Sequence, residues 1–305
     1  MLRHLTPSQT FVVRLLFVSV VLCLPASIAS AWEPKSKAVV SGKESLDLNS
    51  PGLLESSGLA FSHVDADCLW SHNDSGGRAR LHSFNHLGRP TGRADLKGIK
   101  ATDWEDMSSF VDTVPRLLVA DVGDNDAERK SVSIYIFDEP NPKKKSTINV
   151  FEHLVIHYPG GAQNCEAVAV DVKNRRILML EKSPLIATMY QVDLPKRVEA
   201  DPTKDHVTKI EVEAMPIQKV AIPLATGMDL CPKTGDLWIS NYLQVFCYPY
   251  TRKLPLESRL RQVPRMLDLP SLRQVEAVAI DEKGRVWVTS EGKPAKLQRV
   301  VDEKQ

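Results

Sequence analysis

Short apolar runs separated by polar turns recur from residue 57 to residue 300 of the chain. The spacing of their apolar residues is short or alternating and does not follow the 3.6-residue period of a helix, so it predicts strands and no long helix. Five of these runs align without gaps at their starts: Ser57-Gly58-Leu59-Ala60, Glu105-Asp106-Met107-Ser108, Glu166-Ala167-Val168-Ala169, Thr226-Gly227-Met228-Asp229 and Glu276-Ala277-Val278-Ala279. Each begins with an oxygen-bearing side chain, followed mostly by a small residue and then an apolar one.

Each aligned run is followed by further apolar runs of similar length. Second runs lie at residues 68–70, 117–119, 177–180, 237–239 and 286–288, and third runs at 80–84, 133–137, 188–192, 244–248 and 296–300. The links between first and second runs contain Asn, Asp and Gly, as hairpin turns require. Outer fourth strands are predicted at 92–96, 149–157, 209–220 and 262–267.

This repeat predicts an all-β fold, a five-bladed β-propeller of four-stranded blades. The repeat starts are 48 to 61 residues apart, a little above the ~40 to 50 residues of common blades. A six-bladed propeller is the alternative and would need a repeat hidden in one of the longer intervals. The fifth repeat has no outer strand of its own, and the strand-like residues 38–48 could complete it. That pairing would close the propeller by joining its two ends and would protect the sheet edges.

Residues 1–31 have the pattern of a signal peptide. Arg3 and Arg14 supply positive charge, residues 11–29 are almost wholly apolar, and Ala29-Ser30-Ala31 is a small-x-small cleavage site. The domain prediction is therefore a signal peptide over 1–31 and a single propeller domain over 32–305. We expect an exported protein, periplasmic or extracellular, without a membrane segment after cleavage. A retained membrane anchor is the alternative.

Net charge and cysteine content limit the classes of ligand and of cross-link that the chain can have. The formal net charge is +1 and the basic residues are scattered, so the chain lacks the basic surface typical of a nucleic-acid-binding protein. Four cysteines follow the signal segment, with no CxxC motif: Cys68, Cys165, Cys231 and Cys247. Four cysteines allow three disulfide pairings, and the sequence does not choose among them. Each also sits in an apolar run, so buried free thiols agree with the sequence at least as well.

The aligned first position carries the candidate metal site. The innermost strand of a propeller blade lines the central channel, so the five positions form a ring: Ser57, Glu105, Glu166, Thr226 and Glu276. Converging carboxylates repel one another and are costly to bury without a partner. Oxygen-only ligands suit a hard cation, calcium before magnesium. The sequence therefore predicts one calcium ion in the channel, with ordered water around polar channel residues as the alternative.

The second strand runs antiparallel to the first, so its far end returns to the mouth that carries the ring. Polar residues are frequent there, and four are candidate catalytic residues: His72, Asp74, Asp121 and Arg129. His72 is the candidate general base, although no Ser-His-Asp spacing or GxSxG motif supports a nucleophile. Arg129 could bind an anionic ligand or pair with an acidic neighbour.

Several stretches resemble a family of secreted bacterial propeller proteins of unassigned activity, chiefly Asp103-Trp104-Glu105-Asp106 and the run from Val119 to Asn125. More remotely, the repeat order is similar to that of the five-bladed calcium-activated nucleotidases, or soluble apyrases. Their central calcium is held by a Ser, Glu, Glu, Ser, Glu ring in blade order. The resemblance implies that Ser57, Glu105, Glu166, Thr226 and Glu276 are metal ligands, with Thr in place of the second Ser.

Two functions are consistent with these patterns. The first is a non-catalytic, monomeric binding module whose calcium rigidifies the channel and whose mouth binds a small molecule, a glycan or a protein. The second is a calcium-dependent hydrolase of phosphorylated substrates, in which Asp74, His72 or Asp121 would transfer protons. Because propellers serve many functions, the fold does not decide between them. Without a recognisable catalytic set, the binding module is the preferred prediction.

Overall fold

The computed structural model describes residues 45–198, 207–269 and 272–301. The predicted signal peptide and residues 38–44 of the predicted closing strand lie outside these ranges. Within them, no helix is long and apolar enough to span a bilayer. The four cysteines that follow the signal segment are free and buried, which agrees with their apolar surroundings.

The described residues form five sheets arranged as the blades of a β-propeller, as the repeat predicted, and the four main strands of each blade pair antiparallel. The first blade contains β2 (Ser56–Phe61), β3 (Cys68–Asn73), β4 (Arg78–Asn85) and β5 (Pro90–Lys100), and the second contains β6 (Trp104–Asp112), β7 (Val114–Asp121), β8 (Val132–Asp138) and β10 (Glu152–His157). The third contains β11 (Cys165–Asp171), β12 (Arg176–Glu181), β13 (Ala187–Asp193) and β15 (Met215–Val220). The fourth contains β16 (Ala225–Leu230), β17 (Leu237–Asn241), β18 (Gln244–Tyr248) and β19 (Arg265–Asp268).

The fifth blade joins the two ends of the described chain. It contains β20 (Val275–Ile280), β21 (Val286–Ser290), β22 (Ala295–Val300) and, as its outer strand, β1 (Leu46–Leu48). Strand β1 pairs antiparallel with β22, so that Leu46 lies opposite Leu297 and Leu48 opposite Ala295. Closure of the last blade by the N-terminal strand is therefore confirmed.

Two short strands cross to the preceding blade. Strand β9 (Lys145–Ile148) pairs in parallel with β5 of the first blade, and β14 (Thr208–Glu213) pairs in parallel with β10 of the second. The prediction of one outer strand over 209–220 was wrong, because β14 and β15 join different blades. Each added strand covers a sheet edge that would otherwise expose unpaired backbone groups.

Helical structure in the described residues is limited to a 3₁₀ turn at Val172–Asn174 and the short helix α1 (Leu256–Arg259). Tight turns join the strands, and the turn between β20 and β21 places Gly284 at a φ of 79°, which favours glycine because it has no Cβ. The core consists of five hydrophobic clusters, each packed between neighbouring sheets around the axis. The five inner strands therefore face one another across a narrow channel.

Candidate functional site

The ring residues occupy one structural position in all five blades. Each is the second residue of its inner strand: Ser57, Glu105, Glu166, Thr226 and Glu276. In every blade the pairing between the inner strand and the next strand shifts register at this residue. Such a bulge leaves the extra residue outside the ladder and re-aims its side chain. The repeated bulge places the ring residues at one mouth of the channel.

A cavity of about 100 Å³ lies at this mouth. Four ring residues contribute to its wall: Ser57, Glu105, Glu166 and Glu276. Further acidic groups on the wall are Glu55, Asp74 and Glu291, and the remaining polar groups include Asn125, Lys182 and Tyr242. Lys182 is the one basic residue in this wall, so the cavity is strongly acidic.

Three carboxylates form the tightest group. One oxygen from each of Asp74, Asp103 and Glu105 lies within 4.8 Å of the others. Glu105 exposes only 6 % of its surface, whereas Asp74 and Asp103 are half-buried. Oxygens converging at this spacing could bind one hard cation.

Burial and mutual repulsion raise the pKa values of these acids. Burial raises the pKa of Asp74 to about 6, with Asp103 as the next cause. Burial also raises the pKa of Asp103 and, together with Glu166, that of Glu105 far above its ordinary range. Burial raises the pKa of Glu276 to about 8, and Glu291 adds to the effect. The acids therefore require either protons or a cation to remain together.

Asp74 holds the buried acid oxygen of the wall that lacks a partner, because its Oδ1 makes no hydrogen bond to a described residue. Glu276 exposes 9 % of its surface, and the neighbouring carboxylates of Glu291 and Glu166 add to the effect of burial on its pKa. A buried carboxylate without a partner is costly. The donor set therefore fits an oxygen-seeking cation.

Glu166 differs from the other ring acids because it already has partners. Its Oε2 lies 3.0 Å from Lys182 Nζ, and its Oε1 accepts a hydrogen bond of 3.0 Å from Asn164 Nδ2. Burial lowers the pKa of Lys182, but Glu166 and Tyr242 more than reverse this, and the net change is upward. The ammonium group also lies 5.1 Å from the centre of the Tyr242 ring. This ion pair neutralises one ring carboxylate.

The two hydroxyl members of the ring bind the neighbouring blade. Ser57 Oγ donates to the carbonyl oxygen of Glu105 at 2.8 Å, and Thr226 Oγ1 donates to that of Val275, also at 2.8 Å. Thr226 is not part of the cavity wall. The structure therefore brings four of the five predicted ring residues to the cavity and leaves Thr226 beside it.

His72 lies between the first and second blades, away from the cavity wall. It is fully buried and packs edge-to-face against Trp104, with 5.3 Å between ring centres. Burial lowers the pKa of His72 to about 4, against the opposing effect of the Asn73 carbonyl. A neutral buried imidazole at this place supports the packing of the two blades.

Asp121 and Arg129 form an ion pair that holds the loop after β7. Arg129 Nη2 lies 2.8 Å from Asp121 Oδ1, and Nη1 donates to the carbonyl oxygen of Gly123 at 2.6 Å. Asp121 is buried and also accepts a hydrogen bond of 3.0 Å from the Thr102 amide. Of the four candidate catalytic residues, only Asp74 lines the cavity.

Gly123 leaves space for two of the clustered acids. A Cβ at this position would lie 2.1 Å from Glu105 Oε1 and 2.5 Å from Asp103 Oδ2, far inside van der Waals contact. The glycine in the stretch Val122-Gly123-Asp124-Asn125 therefore has a steric role at the cavity.

Sequence reasoning did not assign Asp103, Glu55 or Lys182 to the site. Asp103 and Glu55 each lie two residues before a ring residue, and Asn164 and Gln274 hold the same place in the third and fifth repeats. This second polar position of the repeat was a usable signal. Nothing in the repeat pointed to Lys182, whose place depends on the packing of the third and fourth blades.

Comparison of the sequence with models of known protein families finds no match, and comparison with curated proteins finds none. Similar solved structures include the PQQ-bound aldose sugar dehydrogenase of Streptomyces coelicolor, with 11 % identity, 88 % of this chain and 99 % of that chain covered, and a TM-score of 0.49. A gluconolactonase of Xanthomonas campestris is 13 % identical over 87 % of this chain and 93 % of its own, with a TM-score of 0.43. Likeness at this level carries no information about substrate.

Proposed function

We propose that the protein is an exported calcium-binding β-propeller that acts as a binding module, with one calcium ion at the mouth of its channel. Asp74, Asp103 and Glu105 would provide the closest ligands, and Glu276 would lie beside them. Calcium suits this set because it accepts carboxylate oxygens in irregular geometry and in larger numbers than magnesium does.

The observation that carries this proposal is the convergence of acids from four blades on a cavity of about 100 Å³ with a single lysine, which pairs with Glu166 of the third blade. Asp74 comes from the first blade, Asp103 and Glu105 from the start of the second, and Glu276 from the fifth. A cation bound between them would replace repulsion between blades by attraction. The proposed ion is therefore a structural element of the channel mouth.

A binding module is better supported than a hydrolase, because three of the four predicted catalytic residues are engaged away from the cavity wall. His72 is buried between blades, and Arg129 is held by Asp121 and Gly123. The loops at the same mouth carry large exposed apolar side chains instead: Leu54, Leu185, Ile186, Leu224 and Leu243. Exposed apolar groups beside a polar centre are typical of protein interaction surfaces, which favours a protein ligand.

Thermal unfolding with EDTA and with added calcium tests the proposed ion. A ligand that binds only the native state stabilises it by about 2.7 kcal/mol at one hundred times its Kd, which for a domain of this size raises Tm by roughly 5 °C or more. We expect calcium to produce this rise in the wild type and in Glu213→Gln, an exposed acid on β14 that serves as the control. Glu105→Gln should lose it. An unchanged wild-type Tm at millimolar calcium would refute the proposal.

A further inference from the structure

A second cavity, of about 420 Å³, lies at the opposite end of the channel. Its apolar wall is formed near the ends of the inner strands, by residues that include Phe61, Phe110, Val170, Leu230 and Ile280. Ile280 lies four positions after Glu276 on β20, which corresponds to about 13 Å of extended strand. The two cavities share no lining residue, so this one is separate from the acidic mouth.

One buried cation interrupts the apolar wall. Arg259, the last residue of α1, exposes 6 % of its surface. Its Nη1 donates to the carbonyl oxygens of Gly235 and Tyr248, and its Nε is buried without a hydrogen bond. Within residues 45–198, 207–269 and 272–301, no ion pair engages Arg259, and no hydrogen bond engages its Nη2. A guanidinium has five donors in a planar fork, so most of its hydrogen-bonding capacity is unused.

The acids on the same wall already have partners. Asp171 lies 3.0 Å from Arg176 and also accepts a hydrogen bond from Asn174. Both oxygens of Asp229 accept backbone amides, from Leu230 and Ile280. Glu282 lies exposed at the rim. Arg259 is therefore the buried cation of this wall that makes no ion pair with a described residue, although Asp236 and Asp171 lie close enough to act on its charge.

The Tyr250 ring lies beside two cations in the lining of the cavity. Its centre lies 5.4 Å from the Arg259 guanidinium carbon and 5.6 Å from Lys173 Nζ. The half-exposed ring and the two cations thus lie together in the lining of a cavity that also contains the apolar strand ends. Pockets of roughly 300–1,000 Å³ that combine apolar walls with a few polar groups are typical of small-molecule sites.

We propose that this cavity binds a small amphipathic carboxylate, with its apolar body against the strand ends and its carboxylate on Arg259. Arginine pairs with a carboxylate through two parallel hydrogen bonds. The proposal does not depend on calcium at the other mouth.

Calorimetric titration with 4-phenylbutyrate and with its uncharged amide, 4-phenylbutanamide, tests this site. We expect the carboxylate to bind in the presence of either EDTA or calcium, and the amide to bind about tenfold more weakly or worse, because it cannot form the charge-assisted pair. Arg259→Met should remove the preference for the carboxylate. Arg252→Met, an exposed arginine nearby, should keep it.

Methyl NMR of the wild-type protein tests the location without any variant. Saturating 4-phenylbutyrate should shift the methyl signals of Val170, Leu230 and Ile280 and leave those of Leu54 and Leu243, at the acidic mouth, unchanged. Equal affinity for acid and amide, the absence of saturable binding, or shifts confined to the acidic mouth would each overturn the proposal.

Discussion

Single residues decide whether the acidic mouth can form. Asp74, Asp103 and Glu105 bring oxygens within 4.8 Å of one another, and Gly123 provides the room for two of these side chains. Glu166 forms an ion pair with Lys182. The acids without a basic partner are therefore Glu276 and the three acids of the first two blades. The ability of the mouth to bind a cation therefore depends on a few short distances between side chains.

Gly123→Ala should weaken calcium binding because the new methyl group would displace Glu105 and Asp103. We expect the affinity measured by calorimetry to fall by about tenfold or more, because even the loss of a group that only orients a metal ligand typically costs about 10–100-fold. Gly77→Ala is the matched control, since a Cβ there meets no atom within 4 Å. An unchanged affinity in Gly123→Ala would show that these carboxylates do not bind the ion.

At the scale of elements, β6 connects the site to the rest of the propeller. Trp104 is buried in the cluster between the first two blades, and Glu105 lines the cavity. Asp106 is fully buried near the axis, where its Oδ2 accepts the amides of Val168 at 2.9 Å and Met228 at 3.1 Å. Its Oδ1 accepts the Met107 amide at 2.8 Å. One carboxylate therefore joins three inner strands.

Asp106→Asn should destabilise the fold, because an amide group can replace only one of the two acceptor oxygens and leaves buried amides unpaired. The expected cost is about 1–3 kcal/mol, measured as a lower urea midpoint. Asp193→Asn, at the exposed end of β13, should leave the midpoint unchanged. Wild-type stability in Asp106→Asn would show that the cross-blade hydrogen bonds contribute nothing.

The short strand β1 is the second element of interest, because it closes the propeller. Leu48 exposes 1 % of its surface and packs in the cluster between the fifth and first blades. Lys296 of β22 pairs with Asp47 at 2.5 Å, but exposed pairs of this kind contribute little. The closure of the propeller therefore rests mainly on backbone pairing and on apolar burial.

Leu48→Ala should lower the free energy of unfolding by about 2–5 kcal/mol, as expected for the loss of a buried leucine side chain. Leu54→Ala, at a leucine that is 48 % exposed, is the control and should change little. Chemical denaturation measures both. A small effect at Leu48 would mean that closure by β1 does not hold the last blade in place.

At the scale of the whole molecule, the mouth acids link proton binding to the association of blades. Asp74 belongs to the first blade and Glu276 to the fifth, and the pKa values of both are raised in the fold, to about 6 and about 8. Between its unfolded and folded pKa values, each group binds more protons when folded than when unfolded. Stability therefore falls as pH rises through that interval.

Without calcium, the free energy of unfolding should decrease as pH rises from about 4.5 to about 8, the interval over which Glu276 changes. At the proposed site bound calcium would replace the protons, so saturating calcium should flatten this dependence. Denaturant titrations at a series of pH values, with EDTA or calcium, measure both curves. Glu276→Gln should reduce the slope in EDTA, and an identical slope in this variant would exclude Glu276 as its source.

Much of the architecture could be predicted from the repeat, because hairpin turns and strand alternation are local properties. The five inner strands, the hairpins that follow them and the closing role of residues 46–48 agree with that prediction. The outer strands were less predictable. Strand β14 follows the third blade's inner strands in sequence but pairs with β10 of the second, a choice made by packing between blades.

The repeat in the sequence was sufficient to predict the number of blades and the positions that face the axis, because a repeated pattern of side chains imposes one geometry on every repeat. Which polar residues meet depends on the tertiary structure. Asp74 and Asp103 lie near Glu105, and Lys182 forms an ion pair with Glu166. Asp106 links three strands by hydrogen bonds. His72 and Thr226 lie outside the cavity wall. These contacts join residues from different blades, and their distances depend on how the blades pack.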